Sequence, residues 1–409
     1  MLLETINSEP ERALRYLERY VNDGSPSGFT RAGQLGIETD PFGISPWYHP
    51  YIIMVEAEAL EVFRDVPELP GWPKNGFLVH PDVLKHADIV GLNVGKLKSI
   101  KLIPTSSGRT GRILDPKCDY YLKFHYPLIL GRVNRALPRL KAIAGPEMTS
   151  ILESTILSGS LTPWLHILPE TGALVLHLKP ADNTTWGLIV RKARPFGPHA
   201  DQVHAIVPIF AFWSTDRLKS FDLTILEQLV RYHGAHFVDS FLQRVLLAII
   251  DAYFGLVTML GLQIELNAQN VMVGLDAQLL PVAVIFRDLN AIEKDISMHQ
   301  RIGLNKKYES SPYKEISKSI NGPDYVIRHS FAFDFKLTHY VILPLVSSLA
   351  EIMQDEIEPL VEKIRDHVLQ WLPRLPEDYF PEGNVWFAHE DIDLSRERPY
   401  VLRRNPLLR

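Results

Sequence analysis

Residues 261–292, GLQIELNAQNVMVGLDAQLLPVAVIFRDLNAI, constrain this chain more than any other stretch. They read as a strand, a short loop and a second strand, with polar groups crowded at both ends. Gln263, Glu265 and Asn267 alternate with Ile264 and Leu266, so a strand here has one apolar face and one that carries chemistry. The run PVAVIF that follows is apolar on both faces, as a buried strand is, and it stops abruptly at Arg287-Asp288. Gly274-Leu275-Asp276 offers the turn between the two. Such a hairpin returns Asp288 towards Glu265, Asn267, Gln269 and Asn270. Two carboxylates and three amides at the mouth of a sheet form an oxygen-rich site suited to Mg²⁺ and phosphate oxygens. The plainer alternative is a hairpin tip of solvated polar side chains.

Composition narrows the function classes. An apolar content of 46% with 22% charged residues is that of a folded globular protein, and 409 residues allow two or three structural units. A net charge of -5 argues against a general nucleic-acid binder while leaving room for a local basic pocket. The single cysteine, Cys118, excludes an internal disulfide and fits a reducing compartment. The N-terminal MLLETINSEPERALRYLERYVNDG has early acids and no apolar core, unlike a secretory signal. The most hydrophobic stretch, residues 245–264, contains Asp251, and its longest uncharged run is too short to span a bilayer. The expectation is a soluble, cytoplasmic protein with no membrane and no nucleic-acid partner.

Along the chain, residues 11–22 predict an amphipathic helix, followed by the loop DGSPSG. Residues 30–75 are rich in Pro, Gly and Trp, with one helical patch at 55–63. Strands are expected at 76–80, 99–103 and 120–130, then helices at 132–144 and 146–157. Two more strands follow at 172–178 and 185–191, then the apolar VHAIVPIFAF. Helices are expected at 222–232 and 235–260, the second mostly buried. Residues 294–324 read as a polar loop with short helices, and 331–353 and 355–372 as a helical pair interrupted near Pro344, Pro359 and Pro373. The tail from 382 is basic and contains proline. These elements divide the chain into a reduced N-terminal region (1–75), a β-rich region (76–215) and a largely helical region around the hairpin (216–409).

Three further stretches carry chemistry. In Ile103-Pro-Thr-Ser-Ser-Gly-Arg-Thr110, three hydroxyls and an arginine follow an apolar strand, and Gly108 lets the backbone approach a ligand closely. Hydroxyls and exposed N–H groups there donate to anionic oxygens, with Arg109 as a rigid fork; an ordinary Ser/Gly turn is the plain alternative. Neither GxxxxGK[ST] nor GxGxxG occurs. In YYLKFHYPLILGRVNR, a strand points Lys123 and His125 to one face and Leu122, Phe124 and Tyr126 to the other. A lysine so placed snorkels to water or meets an anion or a ring acceptor. Arg132 and Arg135 would start the next helix on one side of it, either as a carboxylate clamp or as two surface arginines. His80-Pro81 closes a short strand, where a lone histidine reads as structural. Zinc-ligand spacing and a Gly-x-Ser-x-Gly elbow are both absent.

Taken in order, the motifs are a His-Pro strand end, a Ser-x-Arg-Thr turn, Lys123 with Arg135 twelve residues on, a Glu-x-x-x-Gln-Asn loop, an Arg-Asp strand end and a C-terminal Asn-Pro-Leu. This order resembles the siderophore synthetases that work independently of nonribosomal peptide synthetases, the aerobactin-synthetase-like IucA/IucC family. The resemblance runs from His80 to the end of the chain. It implies an α+β fold shaped like a cupped hand, with a reduced thumb, β-rich nucleotide-binding fingers over 76–215 and a helical palm over 216–409. It also implies an ATP- and Mg²⁺-dependent ligase that adenylates a polycarboxylic acid such as citrate and passes the acyl group to an amine or alcohol.

Under the resemblance, Ser107, Arg109, Thr110, Lys123, Gln269 and Asn270 contact the nucleotide, and Glu265, Asn270 and Asp288 surround the metal. Arg135, Asn267 and His80 are the expected catalytic contacts, Arg135 meeting the acid substrate. Asn267 stands where the family's loop carries a histidine, Gly131 where it has a threonine, and His389 where a lysine is expected. The family's N-terminal phosphate-contacting motif is reduced to an echo at Trp47-Tyr-His-Pro50, which leaves room for a homodimer copy or a partner subunit. Two other readings stay open. A kinase-like phosphotransferase also holds Mg²⁺ with an Asn and a strand-end Asp. A non-catalytic relative would bind a ligand or a partner.

Overall fold

Alternating runs between residues 60 and 192 assemble into one six-stranded antiparallel sheet. Its order is Leu60–Arg64, Glu170–Lys179, Thr184–Lys192, Tyr120–Phe124, Thr110–Ile113 and Leu102–Pro104. The two longest strands are successive in sequence and pair at the centre. Their register sets Glu170 opposite Arg191 and Leu174 opposite Leu188. A three-stranded sheet of Gly76–Val79, Tyr51–Met54 and Val94–Lys96 packs against one face. Together they enclose a core that includes Phe77, Leu122, Phe124, Trp186 and Leu188. A computed structural model of the protein describes residues 2–22, 47–115, 117–130, 133–179, 184–216, 218, 220–304, 309–310, 313–314, 330, 332–377, 379–380, 385–388 and 401–404.

The second and larger core is mostly helical. It gathers the helices Leu2–Ser8 and Pro10–Tyr20, Ile225–His233, the long rod from Ala235 to Leu260, and Leu343–Met353 around the hairpin. The rod contains a π-helical stretch at Leu242–Leu247 and ends at Gly261, whose φ of 59° supplies the left-handed cap. The segment His236–Leu260 is long and apolar enough to cross a bilayer, yet 78% of its apolar window is buried inside the molecule. That is the pattern of a core helix. A four-stranded sheet of Leu165–Ile167, Pro281–Phe286, Val271–Leu275 and Ala205–Pro208 lays one face on this core. The fold is α+β with mainly antiparallel sheets, as expected.

Several sequence expectations are corrected. Residues 55–63 are a 3₁₀ turn at Ala57–Ala59 followed by the strand Leu60–Arg64. Helix-forming Glu and Ala lose there to the ladder with Glu170–Lys179, because edge pairing outweighs local propensity. The strand expected at 99–103 forms at Leu102–Pro104, and the one at 120–130 is two strands that part at His125. The helix expected at 132–144 starts only at Arg139. Val133–Arg135 instead pairs with Tyr126–Leu130, and Pro138 both disfavours a helical Leu137 and starts the helix. Thus Arg135 sits on a strand, not on a helix. The helix then runs unbroken through Pro146 to Leu157, its buried faces offsetting the lost hydrogen bond.

The central hairpin is also displaced. Only Leu262–Gln263 is a strand in the first run, and residues 264–270 form a loop. The hairpin proper is Val271–Leu275 with Pro281–Phe286, turned at Asp276, whose carboxylate accepts from the N–H groups of Gln278 and Leu280 at 2.9 Å each. The physical reason is the Asn267 turn described below, which breaks the alternation. Gly131, Arg132, His389 and most of residues 305–329 lie outside the described residues.

Candidate functional site

The register Val271↔Phe286 places the loop before the hairpin beside the turn after it. Arg287 N donates to Asn270 O at 3.0 Å, which holds residues 267–270 against Arg287-Asp288. Within that loop the Asn267 side-chain oxygen accepts from Gln269 N at 3.0 Å, and its carbonyl accepts from Asn270 N at 2.9 Å. An Asx turn of this kind replaces strand pairing with a compact bend. Asn270 Nδ2 donates to Glu265 O at 2.9 Å and closes it.

The second wall comes from the six-stranded sheet. Thr110 pairs with Lys123, and the turn before Thr110 depends on Gly108, at φ 71°. Lys123 points away from Leu122, Phe124 and Tyr126, which pack into the sheet core. Its ammonium lies 3.1 Å from Asp288 Oδ2 and 2.5 Å from Asn290 Oδ1. Arg109 Nη1 donates to Arg135 O at 2.6 Å and so braces the hairpin 126–135 against the turn.

Between these walls is a cavity of about 480 Å³. Small-molecule sites run roughly 300–1,000 Å³, so this one is of ordinary size. Arg109, Lys123, Arg135, Glu265, Asn267, Gln269, Asn270 and Asp288 all line it. Among the described residues, five cationic side chains (Arg109, Lys123, Arg135, Lys141 and Lys336) share the lining with three acids (Glu265, Asp288 and Glu293). The balance favours an anionic occupant with some counter-charge of its own.

Ser107, Thr110 and His80 are not part of that lining. Ser107 Oγ sits 3.2 Å from Thr105 Oγ1 in the turn, and Thr110 is buried in the ladder. His80 is fully buried among the rings of Tyr48, Phe124 and Tyr126 at 5.1–5.7 Å. Its Nδ1 accepts from Asp82 N at 3.3 Å. Burial lowers its pKa to about 4, so it is neutral and supports the sheet beneath the turn.

The electrostatics of the wall are set by burial and by one ionic chain. Burial lowers Lys123 to about 8, with Asp288 and Glu170 pulling it back up. Burial and the nearby Arg135 lower Arg109 to about 10. For Asp288 burial pushes the carboxyl up, but Lys123 and Arg191 outweigh it and hold it well below the usual carboxylate range. Arg191 also donates to Asp288 Oδ1. The side chain of Asp288 remains 26% exposed and opens into the cavity.

Sequence reasoning missed four residues of this arrangement. Glu170 and Arg191 open and close two apolar runs, and a charge bounding a buried strand was the available signal. Lys336 lies on the π-helical stretch Ala332–Ile342, 3.0 Å from Glu265 Oε1, and gives no sequence signal. Glu18, on the N-terminal helix, is 4% exposed. Its Oε2 accepts from Ser106 N at 2.9 Å and its Oε1 from Arg287 Nη1 at 2.5 Å. Arg287 Nε in turn donates to Gln269 O at 2.7 Å, and Gln269 Nε2 to Ser106 Oγ at 3.2 Å. One carboxylate thereby ties together the Ser106 turn, the Gln269 loop and the Arg287 strand end.

A nucleotide with its metal ion fits this wall by its chemistry. Among the described residues no group of three or more His, Cys, Asp or Glu side chains gathers to hold a metal. Mg²⁺ in phosphate sites needs only one or two carboxylates, the rest of its ligands being phosphate oxygens and water. Glu265, Asn270 and Asp288 could offer that much, and Arg109 and Lys123 line the same cavity as cations.

No protein-family model matches the sequence, and no curated protein matches it. Solved structures do match in fold. The petrobactin biosynthesis protein AsbB from Bacillus anthracis str. Sterne superposes with a TM-score of 0.68 at 16% identity, covering 96% of this chain and 75% of that one. Aerobactin synthetase IucA from a hypervirulent pathotype of Klebsiella pneumoniae gives 0.67 at 13% identity, covering 100% of this chain and 80% of that one. The ATP-bound form of the same synthetase gives 0.63 at 14% identity, over 99% and 80% of the two chains. The fold expected from the order of motifs is the fold observed.

Proposed function

We propose that this chain, built on the siderophore-synthetase fold, is an ATP-dependent ligase that activates a carboxylic acid and joins it to an amine or alcohol. The observation that carries the reading is the convergence of Arg109, Lys123, Arg135, Gln269 and Asp288, far apart in sequence, on one cavity. The ATP-bound state of a protein with the same fold supports it. ATP is a substrate here. Arg109 and Lys123, both buried, offset charge on its phosphates where water screens them little. Arg135 orients the acid so that a carboxylate oxygen attacks the α-phosphorus in line. The bond from that phosphorus to the bridging oxygen breaks, and pyrophosphate leaves with the electron pair. The amine or hydroxyl then attacks the acyl carbon, loses its proton, and AMP leaves. A magnesium ion held by Asp288, Glu265 and Asn270 would supply further charge neutralisation on the phosphates. No side chain forms a covalent bond in this scheme.

The test is product analysis with ATP, Mg²⁺ and a panel of polycarboxylic acids. Pyrophosphate released only when an acid is present, followed by AMP once an amine or alcohol is added, is the expected result. ADP would identify a phosphotransferase, and the absence of both products across the panel would favour a binding protein.

A further inference from the structure

We propose that Glu170 is a positioning residue which, by sharing Arg191 with Asp288, sets how much negative charge Asp288 presents to a divalent cation. The inference rests on reading the cavity as a triphosphate and magnesium site.

Glu170 touches no part of the cavity and is fully buried at the start of its strand. Its Oε1 accepts from Arg191 Nη2 at 2.7 Å and from Nε at 3.3 Å. The same Nη2 donates to Asp288 Oδ1. The other oxygen of Glu170 accepts from Asn290 N at 3.1 Å, in the 3₁₀ turn Leu289–Ala291 that follows Asp288. Asp288 itself is held at φ 63°, ψ 48°, a left-handed conformation that L-residues adopt at a cost, Asp less than most. Glu170 therefore fixes both the arginine that grips the aspartate and the turn that aims it. Its carboxylate has nowhere else to go. Gly145, on the helix Arg139–Leu157, comes so close that a Cβ there would lie 1.9 Å from Glu170 Oε2.

The charges alternate along this chain: Glu170 negative, Arg191 positive, Asp288 negative, Lys123 positive. As built, the four sum to zero. Neutralising Glu170 leaves a surplus of one positive charge beside Asp288. That surplus opposes a divalent cation and favours a naked triphosphate, so the two affinities move in opposite directions. A residue that merely supported packing would weaken both together.

Calorimetry with ATP at a series of Mg²⁺ concentrations, and again in a chelator, distinguishes these cases for Glu170→Gln. The expected result is a rise of about tenfold in the Mg²⁺ concentration needed for half-maximal nucleotide binding, the order of one charge acting across several ångströms at an effective dielectric near 20. Metal-free ATP binds at least as tightly as to the wild type. Parallel weakening, or no change in either affinity, overturns the proposal. Glu170→Gln with Arg191→Gln restores neutrality, so the metal requirement returns towards that of the wild type; persistence of the shift counts against charge sharing. If Glu170→Gln does not fold, Arg191→Gln alone gives the mirror image: a lower Mg²⁺ midpoint and weaker metal-free ATP, with the reverse signs refuting the idea. A wild-type protein that binds no ATP in either condition defeats the nucleotide reading itself. A wild type that binds beside an unaltered variant defeats only the role of Glu170.

Discussion

Lys123 and Asp288, on elements far apart in sequence, meet at 3.1 Å with the lysine 2% exposed and the aspartate open to the cavity. The contact joins the face of the six-stranded sheet turned away from its core to the end of the hairpin. Asp288 compensates two buried cations, Lys123 and Arg191, and is itself held ionised by them. A buried charge left without its partner is costly, which makes this pair sensitive to any single change.

Asp288→Asn tests that pair. The variant keeps its shape but removes the negative charge facing the cavity. Magnesium-dependent turnover should fall on the order of a hundredfold, as for the loss of one preorganised contact or metal ligand. Metal titration of turnover checks this, and full turnover in the variant would place the metal elsewhere.

Arg109→Ala removes a fork from the cavity wall and the 2.6 Å bond to Arg135 O. Loss of one charge-assisted phosphate contact should weaken ATP binding by about tenfold to about a hundredfold. The pairing of Tyr126–Leu130 with Val133–Arg135 does not run through the Arg109 side chain, so far-ultraviolet circular dichroism should be unchanged. Unaltered ATP affinity by calorimetry would remove Arg109 from the site.

Glu18→Ala acts from outside the cavity. Arg287 would be left buried without its carboxylate, at a cost of roughly 3–5 kcal/mol in stability. The Ser106 turn and the Gln269 loop also lose their common anchor. Denaturant unfolding should show the loss. Glu18→Ala combined with Arg287→Met should recover much of the stability, because both charges then leave together. A double variant as unstable as the single one would mean that Glu18 acts through packing alone.

Stability should also depend on pH through His80 and His125. Burial lowers both from 6.5 to about 4, and His125 is stacked on Trp186 at 4.4 Å. Between those values the unfolded chain binds protons that the folded one refuses. The contribution is therefore complete above pH 6.5 and is lost as pH falls towards 4. Each histidine contributes on the order of 3 kcal/mol across that window. Urea unfolding from about pH 7 to about pH 4.5 measures the slope. His125→Gln should flatten it, and an unchanged slope would show that the ring titrates normally.

How far the sequence reached depended on whether a contact was local or distant. Lys123 stood out because a lysine within YYLKFHY has one polar face and one apolar face, a period-two pattern that survives any packing. The Arg287-Asp288 strand end was equally plain, since two charges in a row end the apolar run PVAVIF. Arg135 was identified as a residue but placed on the wrong element, because pairing with Tyr126–Leu130 is a non-local choice. His80 was drawn in by the order of motifs, yet its ring faces the sheet core; nothing local tells a histidine which way a strand end turns.

The amino-acid pattern by itself determined the two long central strands of the large sheet, the buried rod of residues 235–260, and the charged strand end at Arg287-Asp288. Those follow from periodicity and side-chain chemistry, which act over a few residues. Only the tertiary structure decided that Glu18 would clasp Ser106 and Arg287, that Glu170 would divide Arg191 with Asp288, and that Lys336 would meet Glu265. Each joins groups whose separation along the chain carries no spacing rule. Such pairs form because a charge without water must find its counterpart wherever the packed elements bring one.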